Sequence, residues 1–220
     1  MSRARRTMSA RSSKALVVGL DCAAPEWVFG RWLDQLPPLR SLTERGAYGV
    51  LRSCDPPMTV PAWSVMTSSR SPGALGVYGF RNRRDHAYDS MVFADSRAVR
   101  VPRVWDLLSA RGRPVIVLGV PQTYPPSPVN GVMVSCFLTP DVGRNQYAYP
   151  AQLPKEVERV VGRYLPDVAN FRTEEKDGLL EEIEEMTQKR FRLAEHLLAT
   201  RPWDLCFLVE MGTDRIHHGF

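Results

Sequence analysis

Four short, continuous apolar runs constrain the fold of this 220-residue chain more than any other feature. They occupy residues 15–20, 114–120, 131–138 and 204–210, and amphipathic segments separate them. Apolar runs of this length are typical of strands buried in a sheet, and strands that alternate with helices form a mostly parallel sheet. The sequence therefore predicts an α/β fold, with a doubly wound, mostly parallel sheet and helices on both faces.

Apolar residues at helical spacing predict the segments between the strands. One helix carries Leu36, Leu39 and Leu42 and ends near Gly46, a good C-cap. Further helices are predicted from Val60 to Thr67, from Val104 to Gly112, and from Glu174 to Ala199 with Thr173 as a cap. Residues 47–52 are expected to add a short strand. Segment 15–20 in particular is expected to be buried on both faces.

The positive charge of the chain is confined to its N-terminus. The formal net charge is +5, and residues 1–14 hold five of the 29 basic residues and none of the 24 acidic ones. The remainder therefore carries 24 of each and is neutral. We interpret residues 1–13 as a disordered basic tail. No nucleic-acid partner is expected from this distribution.

The sequence contains neither a membrane span nor a redox or zinc cysteine motif. No apolar run approaches the roughly 18 residues that a span requires, and residues 15–20 are too short for a signal-peptide core. Four widely spaced cysteines form no CxxC pair and are interpreted as small buried hydrophobes: Cys22, Cys54, Cys136 and Cys206. Cys22 follows Asp21 and could lie near a metal, but packing is the favoured interpretation. A cytoplasmic location is expected.

Carboxylates follow the first and the last apolar runs. Asp21 ends the first run, and Asp214 follows the last one, with His218 four residues later. Ligands of open parallel sheets bind at the carboxyl ends of the strands, and one helical turn puts Asp214 and His218 on one face. A carboxylate with an imidazole suits Zn²⁺, and Mn²⁺ less well. Asp21 alone also fits a plain helix cap.

The other histidines give weaker signals. His217 is the competing imidazole for the site of Asp214. His86 and His196 have no acidic partner at a comparable spacing, and we interpret them as ordinary surface or helix residues. The run Arg81 to Arg84 is interpreted as a solvated loop.

Thr59 lies directly before a predicted helix. Such a residue is often only an N-cap. The N-terminus of a helix also offers N–H groups that bind phosphate, and a coordinated metal would turn a threonine hydroxyl into a nucleophile. The residues alone leave both interpretations open.

Several segments together carry a resemblance to a known family. They are GLD at 19–21, PPMTVPAWSVMTS at 56–68 followed by Pro72 and Gly76, VPQTYPP at 120–126, GVMVSCFLTP at 131–140, and TDRIHH at 213–218. With them the chain resembles the type I phosphodiesterase/nucleotide pyrophosphatase family of the alkaline phosphatase superfamily.

The resemblance implies a hydrolase with two divalent metal ions, Zn²⁺ or else Mn²⁺. Asp21 and Thr59 would hold one ion, and Asp214 and His218 the other. Thr59 would be the nucleophile and pass through a phospho-threonine. The substrate would be a small phosphodiester or phosphoanhydride; its identity and the oligomeric state stay unassigned.

The chain also departs from the family pattern. The later Asp-His-Gly ligands and the final His of the family do not occur before Phe220, and Phe80 stands where an Asn binds phosphate, with Asn82 out of register. We therefore interpret residues 14–220 as the N-terminal part of an alkaline-phosphatase-like catalytic domain, incomplete at its C-terminus. Residues 68–100 and 139–173 are expected to form cap or lid segments.

Other functions remain open at this stage. As an incomplete domain, the chain is expected to be inactive by itself, poorly soluble, and uncovered at one sheet edge or face. A phosphotransferase or phosphomutase on the same fold and a non-catalytic α/β fragment are the alternatives. A sulfatase is disfavoured because Trp63 stands where its motif needs Arg.

Overall fold

The computed structural model describes residues 13–85 and 87–220. The predicted basic tail lies outside these residues except for Ser13, and so does His86. Strands are β1 Ala15–Leu20, β2 Arg81–Arg83, β3 Met91–Phe93, β4 Val115–Leu118, β5 Gly131–Val134, β6 Ala148–Tyr149 and β7 Leu205–Glu210. Helices are α1 Pro37–Arg45, α2 Thr59–Ser68, α3 Pro72–Leu75, α4 Val104–Ser109, α5 Leu153–Val161, α6 Lys176–Thr200 and α7 Gly212–Gly219.

One five-stranded sheet organises the molecule, with the strand order β1-β7-β4-β5-β6. Neighbouring strands from β1 to β5 are parallel, and only β6 runs antiparallel, against β5. The four apolar runs thus become four adjacent parallel strands, because each can bury its side chains only inside a layered structure. The predicted α/β fold with a mostly parallel sheet is confirmed.

Helices cover both faces of this sheet. Alternate residues of the central strands, such as Ile116 and Leu208, pack on one face against α5 and the C-terminal half of α6. The residues between them, such as Val117 and Phe207, pack on the other face with Trp63 of α2 and Trp105 of α4. Trp63 and Trp105 both meet the Phe207 ring edge-on. This packing fixes α2, and with it Thr59, against the sheet.

Strand β1 differs from its prediction, because it forms an edge of the sheet. Leu16 and Val18 are 52% and 48% exposed, so one face of β1 is open rather than buried. The central strands β4 and β7 are buried throughout. A continuous apolar run has the same appearance in an edge strand as in a central one, so the sequence did not separate the two.

Two local predictions were also wrong. Residues 47–52 form no strand, and Val50 and Leu51 are largely exposed. The arginine run is not a loop, since Arg81–Arg83 pairs with Met91–Phe93 in an antiparallel hairpin, although its arginines are exposed as predicted. Short segments of this kind carry too few residues for periodicity to identify them.

The two segments expected to form caps differ in where they lie. Between residues 68 and 100, the chain forms α3 and the β2–β3 hairpin, which pairs separately from the main sheet. Between residues 139 and 173, it supplies β6 of the main sheet and α5, whose Leu153 and Val157 belong to the hydrophobic core.

A buried ion pair lies at the carboxyl end of β7. Arg190 of α6 is fully buried, with its Nε 3.1 Å from Oε2 of Glu210, the last residue of the strand. The Arg190 guanidinium also donates to the backbone carbonyls of Pro166, at 3.1 Å, and of Leu165 and Val209, at 3.4 Å. A buried charge that loses its partner costs about 3–5 kcal/mol, so this pair fixes the end of β7 relative to α6.

We predict that Gly119→Ala disrupts this arrangement. Gly119 has φ +68°, and an added Cβ would overlap the Arg190 guanidinium and lie 2.8 Å from the Val209 carbonyl oxygen. Gly112 has φ +70° with nothing within 4 Å, so Gly112→Ala carries only the backbone strain. Urea unfolding should show that Gly119→Ala lowers the free energy of unfolding by about 2 kcal/mol more than Gly112→Ala does. Equal losses of stability in the two variants would show that the Arg190 guanidinium can move away from the added Cβ without destabilising the fold.

Candidate active site

The parallel pairing of β1 with β7 brings the two predicted aspartates together. Leu20 is in register with Glu210, and the Asp21 amide donates to the Glu210 carbonyl at 2.9 Å. Helix α7 begins at Gly212, so Asp214 lies in its first turn, directly beyond the same sheet edge. The Glu210 carboxylate accepts from the Gly212 amide at 2.8 Å and holds the start of this helix.

Asp21 is enclosed by the helix that carries Thr59. The Asp21 side chain is buried and accepts from Trp63 Nε1 at 3.3 Å, and the Thr59 side chain lies close enough to lower the pKa of the Asp21 carboxyl. Trp63 can reach this position because its ring lies over Gly19, where any Cβ would overlap it. Asp21 and Thr59 are therefore in contact, on the two elements that the sequence assigned to them.

Burial raises the pKa of the Asp21 carboxyl, and the negative charge of Asp214 raises it further. Hydrogen bonds from the Trp63 and Thr59 side chains and from the Cys22 amide oppose the rise in this pKa. Two nearby buried carboxylates repel one another when both are ionised. A cation between them would remove this repulsion.

Asp214 is oriented by an arginine that sequence reasoning missed. Arg215 donates to Asp214 Oδ2, and its Nε and second Nη bind the two oxygens of Asp167 at 2.5 and 2.6 Å. Both Asp214 and Arg215 are buried. The adjacency of Asp214 and Arg215 in the sequence was a weak signal, but nothing in the sequence pairs Arg215 with Asp167.

The second oxygen of Asp214 faces the remaining donors of the site. Its Oδ1 lies 3.5 Å from His218 Nε2 and accepts from the Cys22 thiol at 3.1 Å. Among the described histidines, only His218 approaches an Asp214 oxygen within 4 Å. His217 is exposed on α7, and His196 lies elsewhere, with its Nε2 2.8 Å from Glu156 Oε1.

Cys22 corrects the sequence interpretation of the cysteines. Cys136 and Cys206 are buried as predicted, but Cys22 is exposed and Cys54 is only half-buried. One ligand atom each from Asp21, Cys22 and Asp214 lie within 4.8 Å of one another. The reason for the error is that Cys22 comes after the strand has ended, at the sheet edge rather than in the core.

A cavity of about 800 Å³ opens against Phe137, but none of its lining residues belongs to the group around Asp21 and Asp214. Phe137, which lines it, lies 5.5 Å from the Arg215 guanidinium and meets the ring of Phe80 at 6.1 Å. Phe80 and Phe137 also pack with Val60, the residue after Thr59. The cavity walls combine apolar groups such as Met91 with the cationic Arg81. Phe137 thus connects the cavity to both the Thr59 and the Asp214 elements.

Comparison with known families decides the assignment. A family model described as type I phosphodiesterase/nucleotide pyrophosphatase matches residues 15–220. The chain belongs to this family. No curated protein matches the chain. Membership supports a hydrolase of the phosphodiesterase and pyrophosphatase type, acting on small phosphodiesters, in a family that is typically metal-dependent.

The donors of the site fit a divalent cation. The buried Asp21 and Asp214 carboxylates converge with the Cys22 thiol, and a bound cation would relieve the repulsion between the two carboxylates. The Thr59 side chain lies beside Asp21, and His218 Nε2 lies 3.5 Å from Asp214 Oδ1. No helix in the part of the chain from residue 13 onward that the structure describes has the length and apolar character to cross a bilayer.

The raised pKa of Asp21 predicts a pH-dependent effect on stability. Because the folded pKa of Asp21 lies above the ordinary aspartate value of 3.8, the stability present at low pH is lost as the pH rises through the folded pKa. Asp21→Asn cannot ionise. In chelator-treated protein, its free energy of unfolding should exceed that of the parent at about pH 7, and the excess should shrink toward about pH 4.

Urea unfolding across this pH range measures the effect, with Asp89→Asn at an exposed position as the control. A gap between Asp21→Asn and the parent that is constant with pH would contradict the prediction. So would an equal pH dependence in the Asp89 variant.

Proposed function

We propose that the chain is a metal-dependent phosphodiesterase or nucleotide pyrophosphatase that uses Thr59 as its nucleophile. The observation that carries this proposal is that Thr59 and Trp63 of α2 face Asp21, where the Thr59 side chain lowers the pKa of the Asp21 carboxyl, at the sheet edge where Asp214 and His218 also lie. A threonine that merely capped α2 would hydrogen-bond to the first turn of its own helix instead.

Thr59 is the first residue of the ten-residue helix α2. The amides of the first turn have no partner within the helix and favour an anionic phosphoryl group there. Thr59 Oγ forms a bond to phosphorus while the bond to the leaving oxygen breaks, and the alcohol or phosphate departs. Water then cleaves the bond between Thr59 Oγ and phosphorus and releases the phosphate monoester.

Asp21 and Thr59 would hold one divalent ion, and Asp214 and His218 a second. Zn²⁺ fits these donors best, and Mn²⁺ less well, because imidazole nitrogen is among them. When bound, the ions neutralise phosphoryl charge and lower the pKa of a coordinated hydroxyl or water. Arg215 supports this arrangement by holding Asp214 Oδ2, which leaves Oδ1 directed at His218.

The cavity beside Phe137 would accept one of the groups attached to phosphorus. It is large enough for a small organic substituent, and Phe137 connects it to both halves of the site. A small phosphodiester or phosphoanhydride is therefore the proposed substrate class. We also propose a cytoplasmic location, which is supported by the four free cysteines.

Turnover by the chain alone is proposed to be low. In this assignment each ion receives only two protein side chains, whereas catalytic zinc has about three. Weak metal retention would follow, and product release would be slow. A test of the nucleophile must therefore detect a single reaction event rather than depend on many turnovers.

We predict that Thr59→Ala abolishes the reaction. Purified chain with excess Zn²⁺ and bis-(p-nitrophenyl) phosphate should release p-nitrophenolate in a first burst without sustained turnover, and Thr59→Ala should lower the rate constant of this burst by at least about 10³-fold. Thr59→Ser should retain part of the rate because a hydroxyl remains. Thr43→Ala is the matched control: Thr43 is half-buried on α1, and its hydroxyl donates to the Arg40 carbonyl.

Acid quenching followed by mass spectrometry should find an aryl phosphoryl adduct on the tryptic peptide 53–70. If Thr59→Ala keeps a rate within about tenfold of the parent, a difference below about 1.4 kcal/mol in the barrier, Thr59 is not the nucleophile. An adduct on another residue would have the same meaning.

A further inference from the structure

We propose that Cys22 is a metal ligand of this site: its thiolate binds the cation held by Asp214, and Asp21 bridges that cation to the one it shares with Thr59. The proposal rests on the metal dependence proposed above, and it adds a donor that the family pattern did not assign. It also increases the expected selectivity of the site for Zn²⁺ over Mn²⁺.

The geometry brings the thiol to the point where the carboxylates converge. Cys22 Sγ lies 3.1 Å from Asp214 Oδ1, and each of the three side chains has a ligand atom within 4.8 Å of the others. In a tetrahedral zinc site, sulfur and oxygen ligands are ~3.6 Å apart, given Zn–S of about 2.3 Å and Zn–O of about 2.1 Å. The observed spacing is within about half an ångström of this value.

The surroundings of Asp214 determine which of its oxygens meets the thiol. Arg215 is held by both oxygens of Asp167 and occupies Asp214 Oδ2. Cys22 and His218 then approach only Oδ1. An aspartate with two accessible oxygens could bind a cation in more than one position. Because only Oδ1 of Asp214 is accessible, the Cys22 thiol and the His218 imidazole both face that one oxygen.

The local backbone allows two consecutive residues to contribute. The chain turns directly after β1, where the Ala23 amide donates to the Leu20 carbonyl at 3.3 Å. The Asp21 and Cys22 side chains therefore reach the same carboxylate of Asp214 instead of pointing to opposite faces, as successive residues of a strand do.

Cys22 completes the number of ligands that a catalytic ion requires. Asp21, Cys22 and Asp214 give three protein donors, and His218 stands 3.5 Å from Asp214 Oδ1. Thiolate is a soft ligand that favours Zn²⁺ and Co²⁺ over Mg²⁺ and Mn²⁺. We therefore expect a zinc-selective site, in contrast to one built only from oxygen donors.

Cobalt substitution tests the proposal without any activity assay. The full chain is stripped of metal, titrated with Co²⁺, and followed in the near-ultraviolet, where only thiolate-bound Co²⁺ gives an intense sulfur-to-cobalt charge-transfer band. The parent and Cys54→Ser should show the band, and Cys22→Ser should lack it. Cys54 is the matched control because it is partly accessible but its thiol is directed at the Pro56 carbonyl, 3.3 Å away.

Competition titrations give the second measurement. Cys22→Ser should lower the affinity for Zn²⁺ by about tenfold or more and change that for Mn²⁺ by less than about threefold. Circular dichroism of each variant shows that it is folded.

The outcomes separate this proposal from the proposed function. Co²⁺ that binds to the parent without the band, with the same affinity in Cys22→Ser, overturns the role of Cys22 and leaves the metal-dependent site in place. A band that persists in Cys22→Ser and disappears in Cys54→Ser also overturns it. A parent chain that binds neither Zn²⁺ nor Co²⁺ overturns both the role of Cys22 and the metal dependence.

Discussion

The candidate site depends on the parallel hydrogen bonding between β1 and β7. This pairing continues past the last strand residues, where the Asp21 amide donates to the Glu210 carbonyl at 2.9 Å. It places residues from opposite ends of the chain at one sheet edge. The Arg190–Glu210 ion pair then fixes the end of β7, and the Glu210 carboxylate holds the first amide of α7. Small shifts in this pairing would separate Asp21 from Asp214.

The site concentrates negative charge, and the protein compensates for only part of it. Arg215 neutralises one side of Asp214, and Trp63 and Thr59 donate to Asp21. The pKa of Asp21 nevertheless stays raised, because burial and the charge of Asp214 outweigh these donors. A protein usually retains such a conflict where a ligand resolves it. In this family the expected ligand is a divalent metal ion.

Much of this candidate site could be predicted from the sequence, because most of its residues stand at the end of a strand or the start of a helix. Asp21 ends an apolar run, Asp214 follows another, and the carboxyl ends of parallel strands share one edge. The contact between Thr59 and Asp21 was expected in the same way. The sequence did not predict the roles of Arg215 and Asp167 or the position of Cys22. Each of these depends on a loop conformation or on a partner far away in the chain. The open face of β1 was missed because hydrophobicity alone does not distinguish an edge strand.

The sequence by itself determined the class of fold, the family and the chemical types of the site residues. Apolar periodicity and local motifs record these properties directly, because they depend on neighbours in the chain. Only the tertiary structure decided which donors meet. Cys22 is an exposed neighbour of Asp214 rather than a core residue, and Asp214 offers a single oxygen because Arg215, which is itself held by Asp167, binds the other. Side-chain direction and burial depend on packing among distant segments, and no local pattern encodes them.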